Sequence, residues 1–135
     1  NDGKAPLSII WFGGEPLLNR EVLIKASYHA NYRAQSEGRT LDQLVITNGT
    51  IYTGDLDDFF RANPHVRIQL SWDGMPKYQD KERGNSELFE QNLKKYLKLS
   101  NSLYAHVQVT PTMAVNLLEN VDYIAEKVKA FYSGK

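Results

Sequence analysis

The sequence predicts an α/β domain of parallel β/α repeats with about four strands. Three observations carry that reading. Short apolar runs alternate four times with segments of helical periodicity. The runs are nearly continuous or strictly alternating in character, as strands covered by helical crossovers are. Glycine and polar turn residues cluster directly after the strands, where parallel α/β folds bind their ligands. Four units are too few for a closed eight-stranded barrel, so the pattern leaves half a barrel or a small open α/β sheet.

The elements follow in order. Leu7 to Phe12 is an apolar run ending at Gly13-Gly14 and reads as a buried strand. Asn19 is placed to cap a helix carrying Val22, Leu23, Ala26, Ala30 and Ala34 at helical spacing, and Gly38 ends it. Leu44 to Thr47 is the second strand, stopped by Asn48-Gly49. A short helix with Leu56, Phe59 and Phe60 on its apolar side runs to the breaker Asn63-Pro64. Val66 to Ser71 is the third strand, its Val66, Ile68 and Leu70 alternating against Arg67 and Gln69. A polar loop is expected through Lys77, Asp80, Lys81, Glu82 and Arg83. Ser86 then caps a helix over Glu87–Lys98 with Phe89, Leu93, Tyr96 and Leu97 in one stripe. Tyr104 to Thr110 is the fourth strand, closed by Pro111. Asn116, with Glu119 three residues on, starts a last helix whose buried face is Val121, Ile124, Ala125, Val128 and Phe131.

Composition narrows the function. The 135 residues suit one modest domain, and 41% hydrophobic with 24% charged is ordinary for a globular chain. Sixteen basic and sixteen acidic side chains balance. The balance gives no electrostatic reason to expect nucleic acid or an anionic membrane as partner. No apolar run approaches the ~20 residues of a membrane helix. Asn1-Asp2-Gly3-Lys4 lacks the apolar core of a secretion signal, so a cytoplasmic location is expected, and the missing initiator methionine suits a cut or processed chain. There is no cysteine, which excludes thiolate metal sites and a cysteine nucleophile within this chain. His29 reads as helix surface, His65 as turn and His106 as strand, with no metal-ligand spacing, so no metal ligand and no catalytic residue is assigned.

Three loops carry candidate chemistry. In Gly13-Gly14-Glu15-Pro16 the glycines leave peptide N–H groups uncovered, and the carboxylate can accept hydrogen bonds from an ammonium group. Thr47-Asn48-Gly49-Thr50 offers hydroxyl and amide groups in a tight turn, and its match to a glycosylation sequon is read as accidental. Ser71 and Asp73 share a side of an extended chain and can face one ligand, while Arg83 beyond them can clamp a carboxylate. Singly, each also reads as a plain turn.

In order, Trp11 to Leu18, Ile46 to Thr50 and Leu70 to Gly74 with Arg83 resemble the core of radical S-adenosylmethionine enzymes. More narrowly they resemble the branch holding anaerobic sulfatase-maturing enzymes and peptide-modifying enzymes with a C-terminal cluster-binding (SPASM) extension. The resemblance implies a partial, six-stranded TIM-type β/α barrel of which this chain supplies the second to fifth strands. It implies that Gly13, Gly14, Glu15 and Pro16 hold the amino group of S-adenosylmethionine, and that Ser71 and Arg83 hold its carboxylate or nearby polar atoms. Thr47, Asn48 and Asp73 would lie around the same pocket, with Gln108 and Val109 near the adenosine. It further implies a peptide or protein substrate and an electron donor such as flavodoxin or ferredoxin.

That chemistry uses a [4Fe-4S] cluster on three cysteines, which splits S-adenosylmethionine reductively so that a hydrogen atom is taken from the substrate. The chain departs from the pattern there: it has no cysteine. Residues 1–135 are therefore expected to be an incomplete core domain, without the cysteine loop and the C-terminal end, its cluster ligands upstream, and inactive alone. A degenerate binding or regulatory domain of the same fold is the alternative. An unrelated phosphate-binding α/β domain is disfavoured, because there is no GxGxxG or P-loop and Glu15 suits an amine better.

Overall fold

The structure is a computed structural model and describes residues 4–106 and 116–133. Strand β1 (Leu7–Trp11) leads through a 3-10 turn (Pro16–Asn19) into α1 (Arg20–Ser36) and β2 (Leu41–Thr47). Helix α2 (Gly54–Ala62) connects to β3 (Arg67–Ser71), then α3 (Pro76–Glu82) and α4 (Ser86–Tyr96) precede β4 (Leu103–His106). Helix α5 (Leu117–Ser133) completes the described chain.

All four strands are parallel and lie in sequence order β1-β2-β3-β4. Helices α1, α2 and α4 pack on one face, where Leu23, Leu56, Phe60 and Phe89 join Val45 and Ile68 in a single core. An open doubly wound sheet would instead reverse its strand order at a switch point. The sequential order is that of a β/α repeat sheet and not of a doubly wound one. Register supports it: Val45 pairs with Ile68, and both belong to the core that contains Leu23, Leu56, Phe59, Phe60, Phe89 and Leu93 from the helices. On the opposite face stand Leu44, Ile46, Arg67, Gln69 and Tyr104, all at least partly open to solvent.

The helical side holds the fold together. Phe60, Trp72, Phe89 and Tyr96 are almost wholly buried, and each such side chain stabilises the domain by about 1.5–3 kcal/mol. The Tyr52 and Tyr96 rings meet edge to face at 4.8 Å.

Several elements differ from the sequence expectation. β1 is not buried: Leu7 and Ile10 are exposed, because the strand pairs on one side only among the described residues. Asn19 precedes α1 without a side-chain cap, and the helix buries Leu23, Ser27 and Ala34 while Val22 faces outward. Gly38, at φ 65°, does end it, with the Arg39 amide returning to Ala34 O at 2.9 Å. β2 starts three residues early because Leu41, Asp42 and Gln43 pair with Leu7, Ser8 and Ile9. The expected polar loop is helix α3: Pro76 presets its first turn and Gly84 lies just beyond it. Asn85, in left-handed conformation, caps α4 through Leu88 N, and Ser86 instead bonds Asp80. Helix α5 packs Ile124 and Val128 on the core as expected, but it also buries Asn120 and leaves Val121 and Ala125 exposed. The second half of the expected fourth strand lies outside the described residues, as do Gln108 and Val109.

Candidate functional site at the strand ends

The parallel sheet brings the three singled-out loops to its carboxyl edge. Trp11 is level with Val45, Thr47 with Leu70, and Ser71 with His106, so the loops that follow β1, β2 and β3 stand side by side.

The first two loops are joined through Glu15. Its Oε1 accepts the Leu17 amide at 3.0 Å and the Thr47 hydroxyl at 2.8 Å, and its Oε2 accepts the Asn48 amide at 2.7 Å. Pro16 sets the 3-10 turn behind it, and Leu17 anchors that turn in the core. Gly13 and Gly14 are exposed and have open space where a side chain would stand. Asn48 folds back on its own loop, its Oδ1 taking both Thr50 groups. Gly49 is required: at φ 75°, a Cβ there would stand 2.7 Å from the Phe89 ring. No lysine, arginine or histidine among the described residues pairs with Glu15, so its charge is met by hydrogen bonds alone.

The third loop forms a second group. The Asp73 carboxylate is 1% exposed and receives Arg83 Nε at 2.7 Å, an ion pair at the floor of the loop. Ser71 is buried at the end of β3. The structure therefore brings Glu15, Thr47 and Asn48 into one hydrogen-bonded set and Asp73 with Arg83 into another on the neighbouring strand end. Asp73 is turned to Arg83.

Sequence reasoning missed the residues that fix these loops. Gln43, fully buried, accepts the Trp11 indole N–H at 2.9 Å and donates to Asn31 at 3.2 Å, tying β1, β2 and α1 beneath the first loop. Tyr96 donates its hydroxyl to Ile51 O at 2.8 Å, and burial, then the nearby Glu15 charge, raises its pKa. Gln79 and Asn120 hold the third loop. A buried polar side chain leaves no periodic signal, so only the partners reveal it.

A groove of about 490 Å³ between α4 and α5, lined by Glu87, Glu90, Lys94, Lys127 and Phe131, lies elsewhere and contains none of the site residues. Among the described residues no cluster of histidine and carboxylate groups could hold a metal ion, and no helix is long and apolar enough to cross a membrane.

The chain is 30% identical over 113 residues to the serine-type anaerobic sulfatase-maturating enzyme of Bacteroides thetaiotaomicron, a match covering 84% of this chain and 27% of that enzyme. Its fold is similar to native anSMEcpe with bound AdoMet, with a TM-score of 0.80 at 19% identity over 93% of this chain and 36% of that one. A second structure, native anSMEcpe with bound AdoMet and Cp18Cys peptide, gives a TM-score of 0.64 at 20% identity over 89% and 35%. No family model matches the chain. The chain spans about a third or less of the length of these relatives. The matches bear out the resemblance to the anaerobic sulfatase-maturating enzymes read from the loops, and the similar structures bear out the α/β fold class.

Proposed function

We propose that this relative of the anaerobic sulfatase-maturating enzymes carries the S-adenosylmethionine-cradling part of a radical S-adenosylmethionine enzyme. The observation that carries the reading is the Glu15 carboxylate. A carboxylate has about four acceptor positions, and protein donors take three at Glu15. One acceptor position is left for a further donor, beside the exposed Gly13 and Gly14. That donor set fits an ammonium group. Ser71 and Arg83 are assigned to the carboxylate end, with Asp73 fixing the Arg83 guanidinium and Thr47 and Asn48 fixing Glu15.

Bound there, S-adenosylmethionine supplies the chemistry that removes a hydrogen atom from the substrate. The residues of this chain bind and orient it. A [4Fe-4S] cluster does not fit the residues present, because the chain has no cysteine. Its ligands are assigned to a part of the parent outside this chain, and the chain alone is expected to be inactive. A peptide or protein substrate is proposed in keeping with the peptide held by one of the similar structures. Flavodoxin or ferredoxin is the proposed class of electron donor, in the cytoplasm.

The missing cysteines also favour a second reading, a degenerate binding domain of the same fold. Reading the parent gene separates the two. A Cys-x3-Cys-x2-Cys loop in the same open reading frame supports the enzyme, and its absence leaves the degenerate domain.

A further inference from the structure

The turn after β3 is held by side chains at three consecutive residues. The Asp73 amide donates to Gln79 Oε1 at 2.8 Å, Gly74 O accepts the Trp72 indole N–H at 3.1 Å, and the Met75 amide donates to Asn120 Oδ1 at 2.9 Å. The first two contacts are local to β3 and α3. The third arrives from α5, 45 positions along the chain.

Asn120 is fully buried, an uncommon place for an amide on a helix that could bury an apolar residue there. Its Nδ2 has no hydrogen-bond partner among the described residues, a desolvation cost that a leucine at this position would avoid. The acceptor oxygen is what the position uses. Gly74 conforms to it: at φ 96°, a Cβ there would stand 2.7 Å from the Asn120 Cβ. A second tie runs alongside, where the Asn116 amide donates to the Tyr78 hydroxyl on α3. The same turn carries Asp73, buried against Arg83.

We propose that Asn120 is a positioning residue that fixes the Asp73–Met75 turn from α5 and so holds the Asp73–Arg83 pair at the end of β3. What the pair does for S-adenosylmethionine rests on the proposed function. The positioning itself does not.

The test is amide hydrogen exchange in the full chain for Asn120→Ala, which removes the acceptor, and Asn120→Asp, which keeps it. The Ile68 amide, bonded to Ser102 O within the sheet, serves as reference. Asn120→Ala is expected to speed Met75 exchange tenfold or more relative to Ile68, and Asn120→Asp to restore protection to within threefold of the native chain. Unchanged Met75 exchange in Asn120→Ala overturns the proposal, as does an Asp variant no better protected than Ala. Should either variant fail to fold, a trans-hydrogen-bond coupling from the Met75 amide to the Asn120 side-chain carbonyl in the native chain decides: its presence supports the proposal and its absence overturns it. S-adenosylmethionine titration of the same variants keeps the two readings apart. Loss of Met75 protection with unaltered cofactor affinity upholds the positioning and removes the Asp73–Arg83 pair from the cofactor site.

Discussion

The Thr47 hydroxyl donates to Glu15 at 2.8 Å, so a side chain at the end of β2 holds the carboxylate of the loop that follows β1. With the Asn48 amide on the second oxygen, two loops 32 residues apart act as one unit.

Glu15→Gln tests that unit without changing its shape. The amide keeps one acceptor oxygen but turns an NH2 group toward either the Asn48 amide or the Leu17 amide and Thr47 hydroxyl. Hydrogen bonds to a charged group contribute about 1.5–3 kcal/mol each, so the variant should lose about 1.5–3 kcal/mol of unfolding free energy in urea. A loss below about 0.5 kcal/mol would show that the carboxylate is not structural.

Gly49 and Gly54 give opposite expectations for the same substitution. Gly49→Ala forces a Cβ into the Phe89 ring at positive φ and should cost about 2–4 kcal/mol. Gly54→Ala meets nothing within 4 Å at the start of α2 and should be neutral or stabilise by up to about 1 kcal/mol. Denaturant midpoints of the two variants check the pair.

The parts of the fold legible in the sequence were those with a local signature. Leu56, Phe59 and Phe60 repeat at helical spacing, and Val66, Ile68 and Leu70 alternate, so the apolar side of α2 and the buried side of β3 could be read directly. Gly13-Gly14-Glu15-Pro16 stood out because two glycines beside an acid after an apolar run are unusual. Gln43 and Asn120 were not legible, since a buried amide is explained only by partners such as Trp11 and Met75 that lie far along the chain. Helix α3 was read as loop because its charged residues hid that Pro76 sits where a helix begins. β1 was read as buried because an apolar run does not reveal whether both edges are paired.

Gln43→Ala should be more damaging than its polar character suggests. It leaves the Trp11 indole N–H and Asn31 without their partner and opens a cavity in the sheet–helix layer. An expected loss of about 2–4 kcal/mol would come with a shift in Trp11 fluorescence. An unchanged midpoint would mean that water replaces the amide without cost.

Stability should fall in alkali. Burial and the hydrogen bond to Asp57 raise the pKa of Tyr52, and burial with the Glu15 charge raises that of Tyr96. The folded state keeps these protons while the unfolded chain releases them near the ordinary tyrosine value of about 10. The contribution is therefore complete below about pH 10 and declines as pH rises above it. Urea midpoints measured from about pH 9 to about pH 11 should drop, and less so in Tyr52→Phe and Tyr96→Phe. Equal slopes in all three proteins would place the alkaline loss in other groups.

The most direct measurement is an NMR titration of the 15N-labelled chain with S-adenosylmethionine. Saturable shifts are expected at the amides of Gly13, Gly14, Asn48 and Ser71 to Met75, with affinity at least tenfold weaker in Glu15→Gln, about 1.4 kcal/mol. Shifts confined to the α4–α5 groove, or none that saturate, would contradict the claim that these strand ends cradle the cofactor.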